Sequence, residues 1–437
     1  MCGIFGFIGN RSAAPLLVDG LRRLEYRGYD SSGIVVKNGN LQVHKKVGKV
    51  LELSKILPDH IIGNSGIAHT RWATHGGVTD ANAHPHLSEN GEIAVVHNGI
   101  IDNARRLRNR LTERGIELKS ETDSEVLVHM ISIGIESGQD PLEAVRKTLT
   151  RITGTWGLCV LFKEYDMIVC ARNGSPLILG QGEGESFVSS DPHALTQHTQ
   201  NFFFLEDGDM AVITRDRIDI SRLEGGMSST SLTVIEDEWG EADMAGFPHY
   251  MLKEIHEQAE ALRRCIAGRL DMSNGSAKLG GLRLDPVRLR TIPHVRLIGC
   301  GTALNACKIG QLAIESLARI PAVAHVASEF RYNDPVINPN ALHFAVSQSG
   351  ETADTLSAVK EIQLKGGDVH GIVNVVGSTI ARKCGQGVYI HSGPEQAVAS
   401  TKAFTNMVAS LLLFAIRIGR TRNFSREKGQ SIIKDFE

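Results

Sequence analysis

The hydrophobic pattern of the chain changes its period partway along. In the first half, short apolar runs are separated by turns that contain glycine and asparagine. A helix is predicted after Ser12 and Pro15, and another from Thr122, because Thr122 and Glu125 form a capping-box pattern that places Asp123 in the first turn. Strands are predicted at residues 2–9, 32–36, 66–69, 93–97, 158–162 and 167–172. This half is predicted to be an α+β domain.

From residue 295 onward the pattern becomes a repeat of strand, loop and helix. Such alternation predicts a parallel sheet with helices on both faces, and ligands of these sheets bind beyond the carboxyl ends of the strands. The apolar run 407–416 is shorter than the roughly 20 residues of a membrane span and is predicted to be a buried helix. Strands are predicted at residues 295–298, 322–326, 343–347, 371–375 and 388–390.

The length of 437 residues predicts more than one domain, because single cores stop growing at roughly 250–300 residues. Residues 224–246 are rich in Gly, Ser, Thr and acidic side chains and are predicted to be a linker. The predicted organisation is therefore a first domain at 2–223, a linker and connecting helix at 224–290, and a second domain at 291–437.

Composition narrows the class of partner. The 47 Lys and Arg residues against 49 Asp and Glu give a net charge of -2, which leaves no basic excess for a nucleic-acid backbone or an anionic membrane. The seven cysteines contain no CxxC pair, which argues against a disulfide framework or zinc ribbon. No basic leader precedes the apolar residues 4–8, so no signal peptide is expected. Small-molecule chemistry in the cytoplasm is predicted.

Cys2 is a candidate nucleophile because it follows the initiator Met1. Removal of Met1 would leave a free α-amino group on the cysteine, with a pKa of roughly 7.7–8.0, which is low enough to accept the thiol proton. A chance cysteine in a strand is the alternative for this residue considered alone.

Other segments carry groups that suit an amino-acid amide. Arg71 follows a predicted strand, and its guanidinium fits a carboxylate. Asn98 and Gly99 follow another strand and offer an amide and a backbone N–H for an oxyanion, although Asn-Gly is also a common hairpin turn. Asp123 could hold an α-ammonium group or simply serve as a first-turn acid of its helix. Together they describe thiolate attack on a side-chain amide.

The second half contains polar turns between strand and helix. Gly299 to Thr302 would expose backbone N–H groups to a phosphate, but Leu304 occupies the third glycine position of a dinucleotide fingerprint, so a nicotinamide cofactor is not expected. Residues 347–352 offer hydroxyl and N–H groups, with helix capping by Ser349 and Thr352 as the alternative. A third turn opens the last long helix at residues 400–402, where Lys402 is expected to hold phosphate.

Several segments carry a resemblance to a known family: Met-Cys-Gly-Ile-Phe-Gly at the start, and residues 22–31, 69–76, 82–86, 97–99 and 122–123. Together they resemble class-II glutamine amidotransferases, and among these the isomerising glutamine–fructose-6-phosphate aminotransferase family, also called glucosamine-6-phosphate synthases. The resemblance implies an N-terminal-nucleophile αββα sandwich, followed by an α/β, flavodoxin-like sugar-isomerase (SIS) domain from about residue 293.

The family resemblance also implies roles for individual residues. Cys2 would be the nucleophile, with Asn98 and Gly99 as the oxyanion hole. Glutamine would be bound by Arg71, Trp72, Thr74, His84 and Asp123. The sugar phosphate would be bound by Thr302, Ser347, Gln348, Ser349, Thr352, Val398 and Ser400.

One departure from the family and one cluster of histidines bear on these roles. Ala303 stands where the family usually has serine, which removes one hydroxyl. His69, His75, His84, His86 and His97 crowd together, but no HxxxH or HExxH spacing favours a metal, so they are expected to be structural or pocket-lining, and no metal or other cofactor is predicted.

The predicted activity is formation of glucosamine 6-phosphate from fructose 6-phosphate and glutamine. The printed sequence ends at Glu437, and the family's second sugar-isomerase domain is expected to be absent from it. A homodimer or a complementary chain is therefore predicted as a partner. The alternatives are a standalone glutaminase with a sugar-phosphate-sensing domain, and an idle binding module, against which the intact Cys2 and oxyanion residues argue.

Overall fold

The structure is a computed structural model that describes residues 2–234 and 244–436. The chain divides into two compact units, Met1–Trp239 and Gly240–Glu437. The first unit contains β1 (Gly3–Ile8), α1 (Ala13–Leu24), β2 (Ser31–Asn38), β3 (Asn40–Val47), α2 (Val50–Ile56), β4 (Ser65–Arg71), β5 (His86–Leu87), β6 (Ile93–Ile101), α3 (Ala104–Glu113), α4 (Glu125–Glu136), α5 (Pro141–Leu149), β7 (Gly154–Phe162), β8 (Ile168–Asn173), β9 (Ile178–Gly182), β10 (Glu185–Ser189), β11 (Asn201–Phe204), β12 (Asp209–Ile213), β13 (Ile218–Arg222) and β14 (Leu232–Val234).

Two antiparallel sheets form the centre of the first unit. One has the strand order β14-β11-β9-β10-β1-β4-β2-β3, and the other has β13-β12-β8-β7-β6-β5. Alternate residues of β1 show the layering, because Phe5 and Phe7 pack toward α1 and α2 whereas Ile4 and Ile8 pack between the sheets. The second sheet packs its other face against α3, α4 and α5. The predicted αββα sandwich is confirmed, and it brings β1 and β6 into facing layers.

The start of α4 corrects one prediction. The helix begins at Glu125 and not at Thr122, so Asp123 lies before the first turn. The carboxylate of Glu125 accepts the backbone N–H groups of Lys119 and Ser120, at 2.7 and 2.9 Å. The Thr122 hydroxyl contacts His86 Nε2 at 3.0 Å and does not cap the helix. Asp123 is thus placed by a loop.

The segment predicted as linker and connecting helix, 224–290, contains ordered elements. β14 pairs with β11 in the first unit, and residues 235–243 lie outside the described residues. The remainder lies in the second unit, whose boundary falls at Gly240. It forms α6 (Tyr250–His256), α7 (Gln258–Ile266), β15 (Leu270–Asp271), β16 (Ser276–Ala277) and α8 (Pro286–Thr291).

A parallel sheet organises the second unit. Its order is β18-β17-β19-β20-β21, so the first strand in sequence lies second in space, as in flavodoxin-like folds. The predicted α/β architecture is confirmed. The elements are β17 (Val295–Gly299), α9 (Thr302–Ala318), β18 (Ala322–Val326), α10 (Ala327–Tyr332), β19 (Leu342–Ser347), α11 (Ala353–Leu364), β20 (Asp368–Val373), α12 (Thr379–Cys384), β21 (Gly387–Tyr389), α13 (Lys402–Arg422) and α14 (Arg426–Phe436).

Helix α13 is long and apolar enough to cross a membrane by length and composition, but 72% of its apolar window is buried inside the protein. It packs against α9, where Gly310 permits close approach because an added Cβ would lie 2.8 Å from the Leu411 side chain. The prediction of a buried helix at 407–416 is confirmed.

Candidate active site

Cys2 lies at the start of β1, beside the loop that follows β4. Its Sγ accepts the Trp72 N–H at 3.2 Å and lies 3.6 Å from the Trp72 carbonyl oxygen. Burial raises the pKa of the Cys2 thiol, whereas the Trp72 N–H and the charge of Arg71 act in the opposite direction. The net direction favours the neutral thiol, so formation of the nucleophilic thiolate requires a base.

Asn98 reaches Cys2 from the facing sheet. Its Nδ2 donates to the Cys2 carbonyl oxygen at 3.0 Å, and its Oδ1 lies 2.9 Å from His69 Nε2. The next residue, Gly99, has φ +139°, and an added Cβ would lie 2.1 Å from the Thr155 carbonyl oxygen. Only glycine fits at position 99. Because Asn98 contacts Cys2 and Gly99 follows it directly, the predicted nucleophile and the predicted oxyanion residues lie together.

Arg71 and Asp123 are both buried, at 4% and 7% exposure. The Arg71 guanidinium donates to the carbonyl oxygens of Gly77 and His75, at 3.1 and 2.5 Å, and thereby shapes the loop after β4. Asp123 Oδ2 accepts the Ile101 N–H at 2.8 Å, at the end of the strand that carries Asn98. Both side chains have structural partners, and their predicted contacts with the glutamine head group stay predictions.

Trp72 and Thr74 form the exposed side of this loop. Trp72 is 44% exposed, and its ring lies edge-on to Tyr29 at 5.4 Å between centroids. Thr74 is exposed and contacts the neighbouring His75 through its hydroxyl at 3.3 Å. The Asp30 carboxylate accepts the Ala73 N–H and so holds the loop next to Cys2. The exposed side chains of this loop are therefore accessible to a ligand bound beside Cys2.

The histidines form a buried neutral stack. His84 lies face to face with His69 at 4.2 Å and edge-on to His86 at 4.5 Å, and its Nδ1 accepts the His97 N–H at 3.2 Å. Burial lowers the pKa of all four, to about 3 for His69 and His86. Within residues 2–234 and 244–436, no group of three His, Cys, Asp or Glu side chains could hold a metal ion.

Sequence reasoning missed two polar contributors near Cys2, namely Asp30 and Ser190. Ser190 Oγ accepts the Ile4 N–H, and the Ser190 N–H donates to the Ile4 carbonyl oxygen, both at 3.0 Å, two residues from the nucleophile. His69 is predicted only as structural or pocket-lining, although its place two residues before Arg71 puts both side chains on the same face of β4. Ser190 carried no local signal, since it lies 186 residues from its partner.

The second candidate site lies at the carboxyl edge of the parallel sheet. β17 and β19 are neighbours, so the turns that follow them meet at one edge. Gly301, with φ +56°, leads into α9, and Thr302 begins that helix with an exposed side chain. Ala303 belongs instead to the apolar core, at 7% exposure. The substitution of the family's usual serine therefore falls on a core-facing position.

The turn after β19 is pre-shaped by its own hydroxyls. Ser347 Oγ accepts the Gly350 N–H and lies within hydrogen-bond distance of Thr352 Oγ1, both at 3.0 Å. Ser349 Oγ accepts the Glu351 N–H at 3.1 Å, and the Gln348 carbonyl oxygen accepts the N–H of residue 374 at 3.1 Å. Thr352 occupies the N-cap of α11, but its side chain makes no capping hydrogen bond. The alternative of capping by the Thr352 side chain is wrong.

The role predicted for Lys402, in the turn at residues 400–402, is wrong. Its side chain is buried, and Nζ pairs with Glu257 Oε2 at 2.6 Å, so the ammonium group is engaged inside the protein and is not a free phosphate-binding cation. Ser400 Oγ accepts the Phe404 N–H at 3.1 Å in the first turn of α13. Val398 is 66% exposed. The roles of Ser400 and Val398 in binding stay predictions.

Comparison with known proteins agrees with this division. A glutamine amidotransferase domain matches residues 69–197, and a SIS domain matches residues 288–417. Glutamine–fructose-6-phosphate aminotransferase (isomerizing) from Chlorobaculum tepidum is 45% identical over 98% of this chain and 71% of that protein. The Thermus thermophilus enzyme of the same name is also 45% identical, over 100% of this chain and 72% of that protein.

Among solved structures, the C-terminal domain of glucosamine-fructose-6-phosphate aminotransferase from Francisella tularensis is 33% identical. The similarity covers 45% of this chain and 54% of that one, with a TM-score of 0.42. The sequence relatives span nearly the whole chain and more than two thirds of their own length. The chain therefore belongs to the glutamine–fructose-6-phosphate aminotransferase (isomerizing) family.

Proposed function

We propose that the chain takes ammonia from glutamine at Cys2 and uses it in the formation of glucosamine 6-phosphate from fructose 6-phosphate. The observation that carries the proposal is the convergence on Cys2 of groups from two sheets. Trp72 N–H lies 3.2 Å from the sulfur, and Asn98 Nδ2 lies 3.0 Å from the carbonyl oxygen of the same residue. The names of the relatives support the same reaction.

The proposed chemistry begins with loss of Met1, which frees the α-amine of Cys2 to accept the thiol proton. The thiolate attacks the side-chain amide carbon of glutamine, and the oxygen that becomes negative is stabilised by Asn98 Nδ2 and the Gly99 N–H. The carbon–nitrogen bond breaks as the nitrogen takes a proton and leaves as ammonia. Water then hydrolyses the thioester and releases glutamate.

In the second unit, the proposed sugar-phosphate site is a cradle of neutral donors at the carboxyl edge of the sheet. The hydroxyls of Ser347, Ser349 and Thr352, the N–H groups of the turn that Ser347 and Ser349 do not already use, and Thr302 provide hydrogen bonds to a phosphate. Val398 and Ser400 complete the proposed site. We propose a cytoplasmic location, and a homodimer or a complementary partner chain. Sedimentation of the purified protein would check the homodimer.

The deciding test is glutamate release from glutamine by the purified full chain. We expect Cys2→Ala to abolish it, because no other group replaces the sulfur. Cys384→Ala is the matched control, since that partly exposed cysteine lies in the second unit, and it should retain wild-type turnover. Full activity of Cys2→Ala would refute the proposed mechanism.

Asn98→Ala tests the second part of the same site. Loss of one oxyanion donor should reduce kcat by roughly 10²–10³-fold. Because the donor acts on charge that appears in the transition state, KM should change far less than kcat. An Asn98→Ala variant with unchanged kcat would remove Asn98 from the mechanism.

A further inference from the structure

The side-chain amide of Asn98 is held in one orientation from both of its ends. The Cys2 carbonyl oxygen can only accept, so the Asn98 atom 3.0 Å away must be the nitrogen. The Asn98 oxygen then faces His69 Nε2 at 2.9 Å. Because an amide oxygen also only accepts, His69 must carry its proton on Nε2.

His69 is well placed to keep that tautomer. It is 1% exposed, lies on β4 opposite Ile4 of β1, and stacks on His84 with an interplanar angle of 16°. Burial lowers the pKa of His69 to about 3, so the ring is neutral and has one N–H to give. Its Nδ1 is buried and forms no hydrogen bond of ordinary geometry among the described residues, although a backbone group of His97 lies close enough to act against burial on the pKa of His69. The other tautomer would bury an unpaired N–H and oppose two lone pairs.

We infer that His69 is a positioning residue of the glutaminase: its Nε2–H fixes Asn98 Oδ1 and thereby directs the Asn98 NH₂ group toward the amide oxygen of glutamine. The inference rests on the proposed glutaminase function. One N–H of Asn98 is used by the Cys2 carbonyl oxygen, which leaves the other for the developing oxyanion. Without His69, only the Cys2 carbonyl oxygen would disfavour the flipped amide, which presents an oxygen to that negative charge.

A double-mutant cycle on glutaminase kcat tests this coupling. His69→Leu removes the donor and should lower kcat by roughly 10- to 100-fold, which is less than the loss of a complete oxyanion donor. KM should change by less than about threefold, since the interaction acts in the transition state. In an Asn98→Ala background, His69→Leu should cost no more than about a further twofold, because its target is gone.

His86→Leu is the matched control within the same cluster. His86 is also buried and lies edge-on to His84, but its Nε2 contacts the Thr122 hydroxyl and not Asn98. Its effect on kcat should be the same in the wild-type and Asn98→Ala backgrounds. Alkylation of Cys2 by iodoacetamide should proceed at the wild-type rate in His69→Leu, because that reaction develops no oxyanion.

If His69→Leu does not fold, two polar replacements decide the question. His69→Gln places an amide N–H near the position of Nε2, whereas His69→Asn is too short to reach Asn98. The Gln variant should exceed the Asn variant in kcat by at least about tenfold. Equal values, or equal losses from His69→Leu in both backgrounds, would overturn the role of His69 and leave the glutaminase proposal intact. Absence of glutamine hydrolysis in the wild-type chain would instead overturn the proposed function.

Discussion

The two candidate sites differ in how completely their residues are buried. In the first unit, Arg71, Asn98 and Asp123 are at most 7% exposed, and each already has a hydrogen-bond partner. In the second unit, Ser347 is likewise 2% exposed and hydrogen-bonded, but Thr302 is exposed at a helix start, and the apolar Val398 is 66% exposed in a loop. The buried groups of the first site are held in place before any ligand arrives, whereas the second site combines a pre-shaped turn with exposed groups at the edge of its sheet.

The difference follows from what each site has to do. A transition state that develops charge is stabilised most by donors that need no reorganisation, and burial provides such donors. A phosphate that is already charged needs hydrogen bonds, each with a net worth of roughly 1.5–3 kcal/mol. Single changes should therefore have large effects on turnover in the first unit and graded effects on affinity in the second.

The largest expected effect comes from an uncleaved N-terminal tag that leaves Cys2 internal. Burial raises the pKa of the Cys2 thiol, so the reaction depends on a base, and an amide nitrogen cannot replace the free α-amine. We expect no measurable glutamate release. Cleavage that leaves Cys2 first should restore turnover, and sugar-phosphate binding should be the same in both forms. Normal turnover by the tagged protein would place the base elsewhere.

Next in size is Gly99→Ala. The residue has φ +139°, and the new Cβ would lie 2.1 Å from the Thr155 carbonyl oxygen, so β6 must shift beside Asn98. We expect kcat for glutamine hydrolysis to fall by at least roughly 10²–10³-fold. Gly138→Ala is the control for backbone strain alone, because φ is +83° there and nothing lies within 4 Å. It should retain activity, and an active Gly99→Ala would show that this strand tolerates the shift.

Much of this contrast could be predicted from the sequence, because it follows from local signals. The positions of β1, β2, β4, β6, β7 and β8, of the strands of the parallel sheet, and of the turns at residues 299–302 and 347–352 follow from hydrophobic period and glycine placement. The positions of β3, β5 and β9 to β14 are not predicted in this way. The pairings that lock the site could not be predicted in this way. His69 meets Asn98 across two layers, and Lys402 meets Glu257 over 145 residues. Such contacts depend on packing that no local pattern encodes.

The buried histidines should make the first unit sensitive to acid. His69 and His86 have pKa values lowered to about 3 by burial, so the unfolded chain binds protons between pH 6.5 and 3 that the folded chain does not. The contribution of these histidines to the free energy of unfolding is therefore retained above pH 6.5 and lost as the pH falls toward 3. Between pH 6.5 and 5 the loss should be roughly 1.5 kcal/mol for each histidine.

Urea unfolding followed by tryptophan fluorescence measures this loss, because Trp72, Trp156 and Trp239 all lie in the first 239 residues. His86→Gln should reduce the pH dependence of the unfolding free energy. The exposed His60, changed to Gln, should leave it unchanged. A wild-type unfolding free energy that is the same at pH 5 and pH 6.5 would contradict the neutral stack.

The smallest expected effect lies in the second unit. Ser347→Ala removes the hydroxyl that accepts the Gly350 N–H and contacts Thr352 Oγ1, both at 3.0 Å, and so loosens the proposed phosphate cradle. One neutral hydrogen bond corresponds to a rise of roughly 2- to 13-fold in Kd for fructose 6-phosphate or glucosamine 6-phosphate, measured by titration calorimetry.

Ser357→Ala, on α11 and outside the turn, should leave Kd unchanged. Glutaminase turnover without sugar phosphate should be equal in both variants, because Cys2 and Asn98 lie in the other unit. An unchanged Kd in Ser347→Ala would move the phosphate away from this turn, whereas a loss beyond about 100-fold would show that the second site, like the first, depends on a locked network.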